Sequence, residues 1–317
     1  VVFKQSPGKL INNYVNAFLL DRGRKIWIAT NNGVSSFSGG VWGSLRDSLW
    51  SPPFGSQYRV ACIVEGKDGS LWFGLTGGGI VRYNPFSTIQ VWRRYYNELP
   101  NSFMLAGAAD VSNQSTYGEV WFTTVLGISR FIGGANELGT WVNYSMGNPP
   151  ALPSNQVPSC INKLDDNTIW FGTQTGGSVV ASYGLSGLQW TPHALNPDSR
   201  INSISFDLNN TVWFGIQNGA VTFNVSTSVW TPYPDTTANH LPPGPVNAIA
   251  TDLHKVRWFG TNAGLVRLSD TTWTRFTAAN SPLPSDTVNA LMYDSHQNLW
   301  VGTINGVAVY NDAGIQF

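Results

Sequence analysis

Along the chain, apolar and polar positions alternate with a period of two over runs of five to seven residues, and no 3.6-residue helical spacing competes with them. "VNAIAT" from Val246 and "VNALMY" from Val288 are such runs, and each leads through a polar turn to an apolar stretch headed by tryptophan, "WFG" or "WVG". A glycine turn follows, then a second alternating run such as "GLVRL", then a polar strand holding another tryptophan. The pattern predicts four short strands, A to D, with the first Trp on strand B and the second on strand D.

That unit recurs with its first Trp at positions 27, 72, 121, 170, 213, 258 and 300, spacings of 42 to 49 residues that account for the whole chain. A repeat of this length built from strands is the signature of propeller blades. The expected fold is therefore all-β: one domain over residues 1–317, a seven-bladed β-propeller with four antiparallel strands per blade. Phe317 aligns with the second Trp and Val1 to Phe3 with the residues after it, so the termini are expected to meet in the last blade.

Within the unit, several positions have a physical reason. Six residues after each first Trp stands a glycine, Gly33, Gly78, Gly127, Gly176, Gly219, Gly264 or Gly306, as a tight hairpin turn with positive φ requires. Gly79 and Gly177 add a second glycine that lengthens two of these turns. Two residues after the Trp the side chain is small, Gly74, Gly172, Gly215, Gly260 and Gly302 among them, which lets neighbouring blades approach closely. Aspartates in the A–B turns are read as acceptors for turn N–H groups, and no stretch has the alternating acidic ligands of a calcium loop. No metal or other cofactor is expected. Thirteen of the 14 Trp lie in repeat phase and are read as packing between blades; Trp50 alone does not.

Composition then narrows the function. With 18 basic against 18 acidic residues and only 11% charged, the chain has no field to attract nucleic acid or an anionic membrane. No run approaches the roughly 18 apolar residues of a membrane helix. The start "VVFKQSPG" is read as that of a processed or excised chain. Cys62 and Cys160 occupy one register in separate repeats, so two buried free thiols are expected. Sequons at Asn113, Asn143, Asn209 and Asn224 carry no conclusion in a chain this rich in Asn, Ser and Thr.

The copies "LPSDTVNALMYDSHQNLWVGTINGVAVY" from Leu283 and "LPPGPVNAIATDLHKVRWFGTNAGLVRL" from Leu241 resemble the two-component regulator propeller repeat. The resemblance implies an extracytoplasmic, periplasmic or extracellular, sensor propeller or a secreted relative, non-enzymatic, with carbohydrate as the favoured ligand class. A protein-interaction scaffold is the alternative. A further one is the streptogramin lyase propeller, matched only at Trp121-Phe122-Thr123, for which a loose group of His193, His240 and Glu98 would have to serve.

The D–A and B–C connections share one face of a propeller, and on it lie the long segments rich in Pro, aromatic and amide residues. Trp50, Tyr58, Arg59, Tyr95, Tyr96, Arg200 and His240 are the candidate ligand residues: aromatic platforms for sugar C–H faces and planar donors for hydroxyls or carboxylates. The expected partner is a small molecule or oligosaccharide, with a protein partner or a second copy of the chain as the other option. Asn16, Asn202, Asn247 and Asn289, near the starts of strands A, are read as ties between adjacent inner strands.

Overall fold

A computed structural model describes residues 1–45, 59–87, 91–110, 118–134, 139–145, 158–165, 168–174, 177–184, 187–194, 199–207, 210–233 and 241–317. These residues form 28 strands and, by contact density, two compact units, Val1–Trp50 with Asn202–Phe317 and Ser51–Ile201.

In the first unit the N-terminal strand is β1 (Val2–Phe3), followed by the sheet β2 (Val15–Leu20), β3 (Ile26–Thr30), β4 (Gly33–Ser38) and β5 (Val41–Ser44). After residue 200 come β18 (Ile201–Asp207), β19 (Thr211–Ile216), β20 (Gly219–Asn224) and β21 (Val229–Tyr233), then β22 (Val246–Thr251), β23 (Arg257–Thr261), β24 (Gly264–Ser269) and β25 (Thr272–Phe276). The chain ends with β26 (Val288–Tyr293), β27 (Leu299–Thr303) and β28 (Gly306–Tyr310). The second unit contains β6 (Val60–Glu65), β7 (Leu71–Leu75), β8 (Gly79–Tyr83) and β9 (Trp92–Tyr95) in one sheet, and β10 (Met104–Asp110), β11 (Glu119–Thr124), β12 (Gly127–Gly133) and β13 (Gly139–Tyr144) in the next. Its last sheet is β14 (Pro158–Asp165), β15 (Thr168–Thr173), β16 (Gly177–Gly184) and β17 (Gly187–Ala194).

The fold is thus an all-β propeller type with four-stranded blades, but the expected count of seven blades is corrected to six. Six blades are each made of four consecutive strands; the remaining sheet, in the order β1-β28-β27-β26, is composite. Its outer strand is only the two-residue β1, in register Val2 to Ala308 and Phe3 to Val307. The C-terminal segment cannot supply that strand, because Asn311 turns the chain through its bond from Gly314 N and Asn298 then fixes Gln316. Phe317 nevertheless packs where a second Trp would, its ring 6.0 Å from Phe3 and 5.0 Å from Phe37.

All seven repeat tryptophans are buried, at most 6% exposed. Each of several carries a cation on its face: Arg82 on Trp72, Arg130 on Trp121, Arg257 on Trp213 and Arg267 on Trp258, at 5.0 to 5.7 Å from ring centroid. Those arginines pair with Asp68, Glu119, Asp207 and Asp312 respectively. A sandwich of indole, guanidinium and carboxylate therefore recurs along the blades, and each layer offsets the desolvation of the next.

The small residue two past the Trp has the expected role. A Cβ on Gly260 would lie 2.7 Å from Val288 Cγ1, and one on Gly302 2.6 Å from Val15 Cγ1; both valines begin the inner strand of the adjoining sheet. At that same strand start a β-bulge follows the first residue, and the bulged residue is Asn16, Asn247 or Asn289 in three copies. The bulge turns the amide out of its own ladder. Asn247 Nδ2 donates to Val288 O and Asn289 Nδ2 to Val15 O, both at 3.0 Å, so these two are inter-blade ties. Asn202 Nδ2 is buried without a partner.

Turn aspartates also act as read, with an addition. Asp294 Oδ1 accepts from His296 N and Asn298 N, while its Oδ2 accepts the Trp300 indole N–H at 2.8 Å. Asp21 does the same for Lys25 N and Trp27. Cys62 and Cys160 are free and buried, and burial pushes the Cys62 thiol up to about 12.

Candidate functional site

The second-blade turn between β7 and β8, Thr76-Gly77-Gly78-Gly79, departs from its sister turns. Positive φ falls at Gly77 (83°) and Gly79 (74°), whereas five sister turns place it at the glycine six past the Trp. The extra residue explains the shift. Strand C must pass under the carbonyl ending strand D, where a Cβ on Gly79 would meet Tyr95 O at 2.3 Å, as one on Gly264 would meet Phe276 O at 2.4 Å. Gly79, rather than Gly78, is thus the equivalent of Gly264.

Around this turn the chain gathers aromatic and cationic groups. Ser102 O accepts from both Gly77 N and Gly79 N, and Thr76 N donates to Arg59 O at 2.9 Å. Phe103, half exposed, places its ring 3.6 Å from the Cβ position of Gly77; Tyr96, also half exposed, lies 3.3 Å from that of Gly79. Two aromatic rings therefore flank a strip of backbone without side chains. Arg94 Nε donates to Gly78 O at 2.9 Å, and its guanidinium lies 5.2 Å from the Tyr96 centroid. Tyr96 N donates to the Glu98 carboxylate, and Asn143 from β13 donates to Glu98 O, fixing the loop. Arg94, Tyr96, Asn97 and Glu98 line a shallow depression of about 390 Å³.

Of the residues expected from sequence, Tyr96 lies at this turn and Arg59 meets it through its backbone carbonyl. Tyr95 is not a ligand residue: it is 1% exposed and stacks on Trp72 at 5.6 Å, because β9 alternates and turns position 95 into the core. Burial, the largest influence on it, pushes its phenol up. Arg200 is exposed just before β18, and no described contact joins it to the group. Trp50, Tyr58 and His240 lie outside the described residues. Phe103 and Arg94 were missed; the signal available was the doubled glycine turn, whose flanks they occupy.

For the lyase reading, His193 stacks on Trp170 at 5.1 Å and burial lowers its pKa, whereas the Glu98 carboxylate binds the Tyr96 amide. No described contact joins the two. Among the described residues no cluster of three or more His, Cys, Asp or Glu could hold a metal, and no helix is long and apolar enough to cross a membrane.

The blade geometry and the turn signature agree with one family description, "Two component regulator propeller", whose model matches residues 9–32 and 282–305. Those segments carry the two-component regulator propeller repeat. Both span a strand A, its Asp turn and a strand B, in the first and last sheets of the chain. No curated protein matches the sequence. Among solved structures, the chain is similar to the extracellular domain of the proposed one-component system BT4673 from B. thetaiotaomicron, with 20% identity, a TM-score of 0.77, and 98% of this chain covering 40% of that one. The extracellular domain of the proposed hybrid two-component system BT3049 from the same organism gives 20% identity and a TM-score of 0.74, with 98% and 42% covered. A streptogramin B lyase gives 16% identity and a TM-score of 0.70, with 98% and 97% covered. At these identities the likeness is one of fold. The chain spans about two fifths of the length of the two extracellular domains.

Proposed function

We propose that this chain is a non-enzymatic recognition propeller, part of an extracellular or periplasmic sensor, that binds carbohydrate at the β7–β8 turn. One observation carries the reading: Tyr96 and Phe103 stand half exposed beside the glycines of this turn, Tyr96 against Gly79 and Phe103 against Gly77. Half-exposed rings beside a turn without side chains suit a sugar, whose C–H faces stack on aromatics while its hydroxyls meet backbone groups. The Arg94 guanidinium beside Tyr96 favours a ligand that bears a carboxylate.

The test is a thermal-shift and calorimetric screen over neutral and uronate-containing oligosaccharides, repeated with Tyr96→Ala, Phe103→Ala and Arg94→Gln. Binding that weakens by tenfold or more in the two aromatic variants, a loss of about 1.4 kcal/mol, supports the site. In Arg94→Gln the loss should be larger for uronates than for neutral sugars. Binding that survives all three substitutions refutes it. A protein-interaction scaffold is the second reading, favoured by Leu126, 57% exposed in the β11–β12 turn of the neighbouring blade. It predicts no response to any saccharide.

A further inference from the structure

In the first unit, the sheet β2–β5 ends in a strand whose outer edge is open. Leu45 N donates to Val34 O at 2.9 Å, and antiparallel pairing alternates, so Gly43 turns its N–H and C=O inward to Ser36 while those of Trp42 and Ser44 face outward. Among the described residues no hydrogen bond reaches these outward groups. Gly43 and Ser44 are small and exposed, which leaves the backbone itself accessible.

An open strand edge is a template for another chain, and folds blunt it with charge, proline or shortness. The other sheets of this protein do so at the position equivalent to Ser44, two past the second Trp. Pro192 and Pro232 stand there in β17 and β21 and have no N–H to offer. Arg94 and Arg275 bring a charge, and Asn280 Nδ2 caps Arg275 O at 3.1 Å. Asn143 is tied to Glu98 O, and the strand that holds Val2 is two residues long. Among the described outer strands, β5 alone carries a bare Gly43-Ser44 without charge, proline or cap.

That edge borders a groove of about 750 Å³, lined by Trp42, Gly43 and Ser44 on one side and by residues 5–11 on the other. The opposite wall is fixed: Lys9 N donates to Ser6 O at 3.0 Å, Ile11 N to Ser35 Oγ at 2.9 Å and Gln5 N to Asn13 Oδ1 at 2.6 Å, and Leu10 is fully buried. A walled edge admits one extended strand but obstructs the sheet edge of a second copy. Lys9, exposed, is the one charged residue of the described lining, which holds no carboxylate.

We propose that the β5 edge is a docking site for an extended peptide with an acidic side chain, added to this sheet as a fifth strand. Alternate residues of the peptide pair with the main-chain groups of Trp42 and Ser44, and its carboxylate meets Lys9. The site belongs to the first unit, uses backbone rather than rings, and does not depend on saccharide binding at the β7–β8 turn.

The probe is a phage-displayed library of random dodecapeptides, selected on the full chain and counter-selected on Ser44→Pro. Proline suits this position, because Pro192 and Pro232 occupy it in their own strands. The selected peptides, synthesised and titrated by fluorescence polarisation, should be rich in Asp and Glu and bind Ser44→Pro about tenfold or more weakly than the parent. Lys9→Glu should weaken them as well, and Tyr96→Ala should not. Methylating the peptide's backbone nitrogens one at a time should abolish binding to the parent at alternate positions, a readout that needs no variant to fold. Bound peptide should also slow hydrogen exchange at the Trp42 and Ser44 amides. A library that yields no binder overturns the proposal, as do equal binding to Ser44→Pro, methylation losses without alternation, and unchanged exchange at those two amides. If sedimentation instead shows a parent dimer that Ser44→Pro makes monomeric, the occupant is a second copy and the peptide is refuted.

Discussion

Replacing Gly260 by Ala tests the packing that joins adjacent blades. A Cβ there would lie 2.7 Å from Val288 Cγ1, 3.2 Å from Val288 Cβ and 3.4 Å from Val288 O. Carbon atoms prefer about 3.5–4.0 Å, so the nearest pair must separate by close to an ångström. Val288 cannot oblige cheaply. It is fully buried in a cluster with Trp258, Leu283 and Leu299, and its β-branched side chain has few rotamers. Gly260 is outside the left-handed region, so backbone strain adds nothing and the penalty is steric. Overpacking of this kind costs about 1–3 kcal/mol. Val288→Ala alone removes two buried methyl groups and should cost a similar amount, about 1–3 kcal/mol. The double variant removes the clash, so it should be more stable than the sum of the single losses by about 1–2 kcal/mol. Urea unfolding followed by tryptophan fluorescence measures all four corners of the cycle. Gly264→Ala on the same hairpin is the control: at φ 127° its loss should not be rescued by Val288→Ala. If Gly260→Ala lies within about 0.5 kcal/mol of the parent, or if the two losses simply add, the close-approach argument fails.

Tyr95→Ala and Tyr96→Ala should separate core from surface: the first should lower stability by about 3–5 kcal/mol, the second by less than about 1 kcal/mol, in the same unfolding assay. Burial pushes the Asp68 carboxyl up, but bonds from Ser70 and Arg82 outweigh it and hold its pKa below the usual range. A carboxylate depressed on folding stabilises above its unfolded pKa and loses that contribution as pH falls through the folded value, so the effect fades below about pH 4. Asp68→Asn should therefore be less stable than the parent at pH 7, and the gap between the two unfolding curves should narrow as the pH falls below about 4, as circular dichroism would record. Asp294→Ala should be more damaging than a surface substitution, by about 2–4 kcal/mol, because it leaves the Trp300 indole and the Asn298 amide unpaired in the interior and frees the His296 amide at the turn.

What was legible in the sequence follows from what repetition enforces. A backbone demand met in every copy stands out against one chain: the glycine under the carbonyl of strand D, the small residue beneath the neighbouring valine, the Trp between sheets. The β-bulge at the start of strand A left no such mark, since it is a register shift and not a residue type, yet it decides where Asn247 and Asn289 point. The arginines on the Trp faces were equally hidden, because they come from strand B in one blade and strand C in others. The composite sheet was half visible. Phe317 keeps the aromatic of a strand D, but the bonds of Asn311 and Asn298 that hold the tail out of the ladder depend on the folded chain.

Sites obey the opposite logic, since they arise where a copy departs from the repeat. Tyr95 and Tyr96, neighbours in a long connection rich in aromatic residues, are alike in the sequence; strand alternation separates them, sending one ring onto Trp72 and leaving the other in water. The doubled glycine at Gly78-Gly79 was seen as a longer turn, but its consequence, a bare strip between Tyr96 and Phe103, needed the register of β8. Asp207 is the sharper case, because its sequence context matches that of Asp21 and Asp294. Only the reach of Arg257 across to it breaks the Asp–Trp pair and leaves a buried carboxylate oxygen unanswered. A repeat protein therefore shows its scaffold in the positions that agree between copies, and its departures where one copy's bonds are diverted by the next.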